Sequence, residues 1–119
     1  MSSYKDLDVW KKSFTICINI YEITRAFPKE ELYGLTSQIR RASVSIPSNI
    51  SEGSKRGKRE FTHFLKIAHG SGAELETQLM LACQLGYISD TKFQIISKDL
   101  EVVMKMLSAF IKKLSTPNE

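Results

Sequence analysis

The sequence predicts an all-α protein, an antiparallel up-and-down four-helix bundle with a proline-kinked second helix, formed by one domain over residues 1–119. Four stretches place apolar residues at steps of three and four, which is the spacing of a buried helix face. Turn signals separate these stretches at Phe27-Pro28, between Gly53 and Gly57, and at Gly86. Because the connections are short, we expect consecutive helices to be antiparallel neighbours.

The first helix, predicted from about Asp6 to Phe27, carries two apolar stripes. The first stripe consists of Leu7, Trp10, Phe14, Cys17 and Tyr21. The second lies about 130° round the helix and consists of Val9, Ile16, Ile20, Ile23 and Phe27. One stripe suffices to seat a helix in a bundle. The displaced second stripe therefore predicts a further surface, covered by another subunit.

The second helix, starting at Gly34, combines a core face with an opposite face of small hydroxyls and long charged side chains. Pro47 lies inside it and offers no N–H to the carbonyl of Ser43, at a cost of about 3 kcal/mol, so we expect a kink. Buried polar groups are generally hydrogen-bonded. We therefore expect a further group of residues to stabilise the kink or a subunit interface: Ser45, Asn49 and Glu52. The alternative is that Pro47 only bends the helix around the bundle.

The third helix, about Lys58 to Leu85, contains four small residues in succession, Gly70-Ser71-Gly72-Ala73. The apolar spacing continues across them, so we expect another helix to approach closely there, with helix two as the natural neighbour. Gly86 is expected in the left-handed conformation that ends a helix.

The fourth helix follows Ser89, which is expected to cap it. Its heptad seam consists of Phe93, Ile96, Leu100, Val103, Leu107, Phe110 and Leu114. A flanking stripe consists of Ile95, Val102, Met106 and Ala109. Leaving such stripes in water would forgo a large favourable free energy, which predicts an obligate homo-oligomer. Pro117 and the last residues are expected to fray.

Several short motifs carry a resemblance to a known family. GLTSQIRRA and SIPSNISEG in helix two, with FL, GS and EL in helix three, resemble the four-helix-bundle proteins encoded in intervening sequences of bacterial 23S ribosomal RNA genes. That family is similar to the accessory variability protein of diversity-generating retroelements. The resemblance implies a pentameric ring and an RNA-processing or reverse-transcriptase partner. The sequence departs from the family pattern at Ser51, His69 and Gly72.

Cations are concentrated at the turn between helices two and three: Lys55, Arg56, Lys58 and Arg59, with Arg40 and Arg41 upstream. Repeated around a ring, they would displace counterions from several phosphates at once. Aromatic residues do not interleave with this run, so recognition of shape and phosphate is expected rather than base stacking. The alternative is a solvated turn, with Arg41 paired to Glu52 across a subunit boundary.

Other patterns argue against catalysis and metal binding. Glu60-x-x-His63 has di-iron spacing, but such sites need two copies and two further glutamates, so we expect no metal and no cofactor. No glycine-rich phosphate loop or activated nucleophile is evident, so we expect no enzyme. Cys17 and Cys83 are expected to be reduced core residues. Without a signal region or a membrane-length apolar run, a cytoplasmic protein is expected.

The net charge of +4 permits nucleic acid or an acidic partner without requiring either. The sequence therefore predicts a non-enzymatic, oligomeric binding protein whose basic surface contacts structured RNA or other nucleic acid. The alternative is a protein-interaction scaffold or accessory subunit that binds no nucleic acid directly.

Overall fold

The computed structural model describes residues 3–116, and every regular element in that range is helical. The four long helices are α1 (Asp8–Thr24), α2 (Leu35–Ser54), α3 (Lys58–Gln84) and α4 (Asp90–Ser115). Short 3-10 helices lie at Tyr4–Asp6 and Lys29–Glu31. The all-α four-helix fold is thus confirmed, and the expected fraying at Pro117 concerns residues outside the described range. None of the helices in residues 3–116 has the length and apolarity to cross a membrane.

Each helix packs against two others, so the helices lie at the corners of a square. α2 packs against α1 and α3, and α4 packs against α3 and α1, whereas in the described residues no Cα atoms of diagonal helices lie within 8 Å of each other. The seam between α2 and α3 is the most extensive, and the seam between α1 and α4 is the least extensive. The molecule measures 52 × 22 × 20 Å.

Contacts across the α2–α3 seam run in opposite directions along the two helices. Ser45 meets Ser71 through their hydroxyls at 2.7 Å, and Gly53, later in α2, lies against Phe64, earlier in α3. This pairing is the one expected of antiparallel neighbours. α2 continues through Pro47 as a single helix. The up-and-down order of the whole bundle and a kink at Pro47 stay predictions.

The core contains the stripe of α1 that the sequence had assigned to another subunit. The second stripe is the buried one, because Val9, Ile16 and Ile20 lie inside the bundle, whereas Phe14 and Tyr21 of the first stripe are exposed. The assignment of the two stripes was therefore wrong. Two hydroxyl side chains obscured the buried face in the sequence: Ser13 and Thr24 are also buried, and each donates to a carbonyl of α1.

The seam of α4 is confirmed at its centre. Ile96, Leu100, Val103 and Leu107 are buried, and the outer seam residues pack against this core while keeping some exposure. Ile95 and Val102 of the flanking stripe remain exposed in the single chain.

The small residues of α3 allow a close approach, as predicted, but α4 is the helix that comes closest to Gly72. The expectation of helix two holds at Ser71, whose hydroxyl lies 2.7 Å from that of Ser45, but not at Gly72, where a Cβ atom would collide with the thioether sulfur of Met104. The bulky side chain of Met104 occupies the space that a side chain at Gly72 would need. Two helix-end predictions are confirmed, because Gly86 has φ of 79° and the Ser89 Oγ accepts from the backbone N–H of Lys92 at 3.2 Å.

Both cysteines are free, and they lie half-buried at seams rather than deep in the core. Cys17 Sγ lies 3.5 Å from Ser43 Oγ between α1 and α2. Cys83 donates to Asp90 at 3.3 Å, and this hydrogen bond, aided by burial, raises the pKa of the Cys83 thiol.

Candidate nucleic-acid interface

The turn between α2 and α3 places four cations at one end of the bundle. α2 ends because the backbone N–H groups of Lys55 and Arg56 bond back to the carbonyls of Glu52 and Gly53 at 3.3 and 3.0 Å. Gly57 is extended, with φ of −66° and ψ of 166°, and α3 starts at the next residue. All four cations, called the basic turn below, are exposed: Lys55, Arg56, Lys58 and Arg59.

Arg56 of the basic turn is paired with two carboxylates. Its guanidinium donates to Glu52 at 2.8 Å and lies 3.8 Å from Glu60. It also covers the ring of Phe64, with 5.0 Å between the guanidinium carbon and the ring centroid. The hydrogen bond to Glu52 is the main cause of a raised pKa at Arg56. Within the chain, Glu52 is therefore a partner of Arg56, whereas the Arg41–Glu52 pair was predicted between subunits.

Besides Phe64, aromatic rings from the start of the chain lie beside the basic turn. The Lys55 ammonium lies 5.6 Å from the ring centroid of Tyr4. Tyr4 meets Trp10 edge to face at 5.3 Å, and Trp10 stacks on Phe14 at 5.0 Å. Sequence reasoning missed these neighbours because the 3-10 helix at the start of the chain folds back against α2.

Lys58 and Arg59 continue into a groove between the start of α3 and the end of α4. Lys58 Nζ approaches the carbonyl oxygen of Thr116 at 3.5 Å, and further cations line the groove beyond it. We call this the basic groove, and its lining includes the cations Lys58, Arg59, Lys66 and Lys112, together with His63 and the carboxylate of Glu60. Lys66 and Lys112 were not predicted as site residues. The sequence signal was available for Lys66, which follows Arg59 by seven residues and so lies on the same side of α3.

Arg40 and Arg41 do not join the basic turn. They precede Lys55 by about 22 Å along α2, at the rise of an α-helix. Arg40 donates from Nε to Thr24 Oγ1 at 2.9 Å and covers the ring of Tyr21 at 4.7 Å, so it fastens α1 to α2. Arg41 is exposed on the other side of α2 and lines a shallow depression with Ser45 and Glu74. The structure therefore brings together four of the six predicted cations.

The polar residues predicted near the kink form a small network between α2 and α3. Asn49 Nδ2 donates to the carbonyl and the hydroxyl of Ser45 at 2.8 and 2.9 Å, and Ser45 meets Ser71 of α3. Pro47 is buried two residues from both Ser45 and Asn49, so it lies on the opposite side of α2 from this network. These contacts give Ser45 and Asn49 a structural task within one chain.

The histidines and acids lie apart from one another. His63 packs its ring against Phe64 at 5.9 Å, and His69 Nε2 lies 3.2 Å from Ser108 Oγ. In residues 3–116, no group of three His, Cys, Asp or Glu side chains is arranged to hold a metal ion.

Residues 5–109 match the model of the family described as 23S rRNA-intervening sequence protein. The chain belongs to this family. This family member is also similar to a crystal structure of a protein with unknown function from the S23 ribosomal protein family of Bacteroides thetaiotaomicron. The two share 27% identity with a TM-score of 0.79, over 87% of this chain and 98% of that chain. No curated protein matches the chain. A likeness to the accessory variability protein of retroelements stays a prediction.

Proposed function

We propose that this family member is a non-enzymatic homo-oligomer, a pentameric ring as the sequence resemblance implies, whose basic surface binds structured RNA. One observation carries the proposal: exposed cations run from the basic turn into the basic groove. An RNA-processing or reverse-transcriptase partner, also implied by the resemblance, would act on the RNA that the ring holds.

The spacing of the cations suits a phosphate backbone. Lys58 and Lys66 are separated by about 12 Å along α3, given the rise of a helix. In a DNA duplex the phosphates of one strand follow one another by about 3.4 Å along the axis, so a groove of this length can contact several phosphates of a nucleic-acid strand. Side chains cannot read bases in the deep groove of an RNA helix, so proteins bind it by shape and phosphate contacts. The basic groove provides such contacts without requiring a particular sequence.

The cations are expected to contribute unequally. Arg56 is neutralised by Glu52 and Glu60, and Arg40 is already engaged by Thr24 and Tyr21. Binding is therefore expected to depend more on Arg59 and Lys66 than on Arg56 and Arg40. This ranking differs from the sequence prediction, which named Arg40 and Arg56 among six site cations and did not name Lys66.

Fluorescence anisotropy with a labelled RNA hairpin tests the proposal. The wild-type protein is expected to bind at about 50 mM salt and to lose affinity steeply by about 200 mM. The double variant Arg59→Gln/Lys66→Gln removes two phosphate contacts, so it is expected to weaken binding and to lower the salt slope by about 2. The matched control is Lys29→Gln/Lys98→Gln, which removes the same charge from exposed positions outside the groove.

Equal affinity for the double variant and its control would contradict the assignment of the groove. A wild-type protein that fails to bind RNA even at low salt would favour the alternative, a protein-interaction scaffold or accessory subunit without nucleic acid. The exposed apolar side chains Phe14 and Ile18 support that alternative, because large apolar patches mark protein contacts.

A further inference from the structure

Four aromatic rings lie along the side of the bundle that α1 and α2 form, and we call them the aromatic strip: Tyr4, Trp10, Phe14 and Tyr21. Tyr4 meets Trp10 at 5.3 Å, and Trp10 stacks on Phe14 at 5.0 Å with the ring planes 30° apart. Tyr21 follows Phe14 by seven residues, which is two helical turns, so it lies on the same side of α1. Phe14 and Tyr21 are 47% and 41% exposed.

A cation lies over a ring at each end of the aromatic strip. Lys55 Nζ is 5.6 Å from the ring centroid of Tyr4, and the guanidinium carbon of Arg40 is 4.7 Å from that of Tyr21. Both cations belong to α2, whereas the rings belong to α1 and the 3-10 helix before it. Cations beside aromatic rings are typical of surfaces that bind single-stranded nucleic acid, because bases stack on the rings while the cations contact phosphates.

The aromatic strip is continuous with the basic turn, because Lys55 belongs to both. In the square arrangement of the helices, the side formed by α1 and α2 lies opposite the basic groove between α3 and α4. The basic turn lies at the end of the bundle between these two surfaces, and the bundle is 22 × 20 Å in cross-section. A strand that leaves the basic groove therefore reaches the strip by crossing about 20 Å of the end that carries the cations.

We propose that the aromatic strip binds an unpaired RNA segment that adjoins the duplex held in the basic groove. The inference rests on the proposed function and names the class of RNA, a helix with a single-stranded extension. Unpaired bases can be splayed out and stacked on aromatic side chains, whereas paired bases in a helix cannot. A base that stacks on Phe14 extends the stack that Trp10 and Phe14 already form. Stacking was not expected from the sequence, because these rings approach the cations only through the fold.

The charges near the aromatic strip favour a polyanion as its occupant. Glu52 is paired with Arg56, and Lys11 and Glu22 lie at the far edge, where they line grooves between α1 and α4. Cations outnumber carboxylates among the other charged residues on the strip or next to it in the chain: Lys5, Asp6, Asp8, Arg25, Arg40 and Lys55. The phosphates of an RNA strand match this balance of charge.

Two labelled RNA probes that differ only in their bases test the inference. The first is a hairpin with a tail of about twelve uridines, within the site sizes of single-strand binding surfaces, and the second carries an abasic tail of the same length. Wild-type protein is expected to bind the uridine tail about tenfold more tightly, measured by fluorescence anisotropy. Because the two probes carry equal phosphates, this ratio is expected to persist from about 50 to 200 mM salt while both affinities fall.

The fluorescence of Trp10, the single tryptophan of the chain, provides a second readout. Because Trp10 stacks on Phe14 within the strip, the uridine tail is expected to quench its emission and the abasic tail to leave it nearly unchanged.

The double variant Phe14→Leu/Tyr21→Leu removes two exposed rings and keeps apolar side chains in their place. It is expected to lower the preference for the uridine tail severalfold and to keep the wild-type affinity for the abasic probe. The matched control is Tyr33→Leu, which removes a 93% exposed ring outside the strip and is expected to keep the full preference.

Equal affinity of the wild-type protein for the two probes would overturn the assignment of the strip and leave the proposed function intact. A double variant with the wild-type preference would also overturn it. If that variant instead changed the mass of the assembly by light scattering, the rings would be protein contacts. Failure to bind either probe at low salt would overturn the proposed function and this inference together.

Discussion

The tightest contact of the α2–α3 seam depends on a single missing side chain. A Cβ atom at Gly53 would lie 2.6 Å from the Cβ of Phe64 and 2.9 Å from the ring of Phe61. Since the Cβ of Phe64 is fixed to the α3 backbone, only a movement of the helices could make room. We expect Gly53→Ala to lower the free energy of unfolding by about 1–3 kcal/mol, measured by urea denaturation.

Gly70→Ala is the matched control for that substitution. Gly70 is also a helical glycine, but no atom lies within 4 Å of the position of its Cβ. Alanine there is expected to raise the free energy of unfolding by up to about 1 kcal/mol, through helix propensity. A Gly53→Ala variant as stable as Gly70→Ala would show that the two helices lie farther apart in solution.

At the scale of residues, the sequence predicts backbone requirements better than neighbours. Gly86 and Ser89 could be assigned from local rules, because a helix end needs a left-handed residue and a cap. The partner of Gly72 could not be assigned in this way, because a small residue indicates a close contact without indicating which helix makes it. Similarly, the ring beside Lys55 belongs to Tyr4, which in turn contacts Trp10, and sequence spacing does not connect either residue to the turn.

At the scale of elements, one carboxylate joins three parts of the chain at the end opposite the basic turn. Glu31, in the connection between α1 and α2, accepts from the backbone N–H of Leu35 at 3.1 Å and so caps α2. Its other oxygen accepts from the hydroxyl of Tyr87 at 2.9 Å, and Tyr87 lies in the connection between α3 and α4. The hydroxyl of Tyr87 thereby links the two connections.

Removing that hydroxyl is expected to loosen this end of the bundle. Its hydrogen bond to Glu31, with burial and the Glu31 charge, raises the pKa of Tyr87. The stabilisation is therefore present below the ordinary pKa of tyrosine and is lost as the pH rises through the raised value. Tyr87→Phe is expected to lower Tm by a few degrees at neutral pH, and the difference from wild type is expected to shrink in strong alkali.

Tyr33→Phe is the control for that experiment, because Tyr33 is 93% exposed and its substitution is expected to leave Tm unchanged. A difference between Tyr87→Phe and wild type that stays constant up to strong alkali would contradict the link through the hydroxyl.

The helices themselves could be predicted to within a few residues, because apolar spacing and turn residues mark them. The sequence could not show which stripe of α1 faces the core, because the aromatic Trp10 and Phe14 are more hydrophobic than the buried Ser13 and Thr24 on the other face. Only the positions of α2 and α4 in the fold determine which stripe is buried.

At the scale of the whole molecule, the exposed apolar surfaces connect stability with association. If the native state is an oligomer, assembly stabilises folded chains and not unfolded ones, so Tm must depend on protein concentration. We expect the Tm of the wild type to rise over a hundredfold increase in protein concentration. Differential scanning calorimetry at several concentrations measures this rise, and a constant wild-type Tm would contradict an obligate oligomer.

The candidate site could be predicted only in part. A run of cations in the sequence identifies the basic turn, whose members are adjacent in the chain. The groove could not be assembled in the same way, because Lys112 comes from the end of α4 and meets α3 only through the fold.

The contacts of Tyr4 with Lys55 and of Thr116 with Lys58 have a practical consequence for anyone attaching tags or fluorophores. Both ends of the described chain lie beside the basic turn, so an affinity tag or a fused domain at either end would crowd the very surface to be assayed. A label at the far end of the bundle, near Gly86, avoids this. The same proximity suits circular permutation: a short linker would join the ends, and new ones opened near Gly86 would leave the cations accessible.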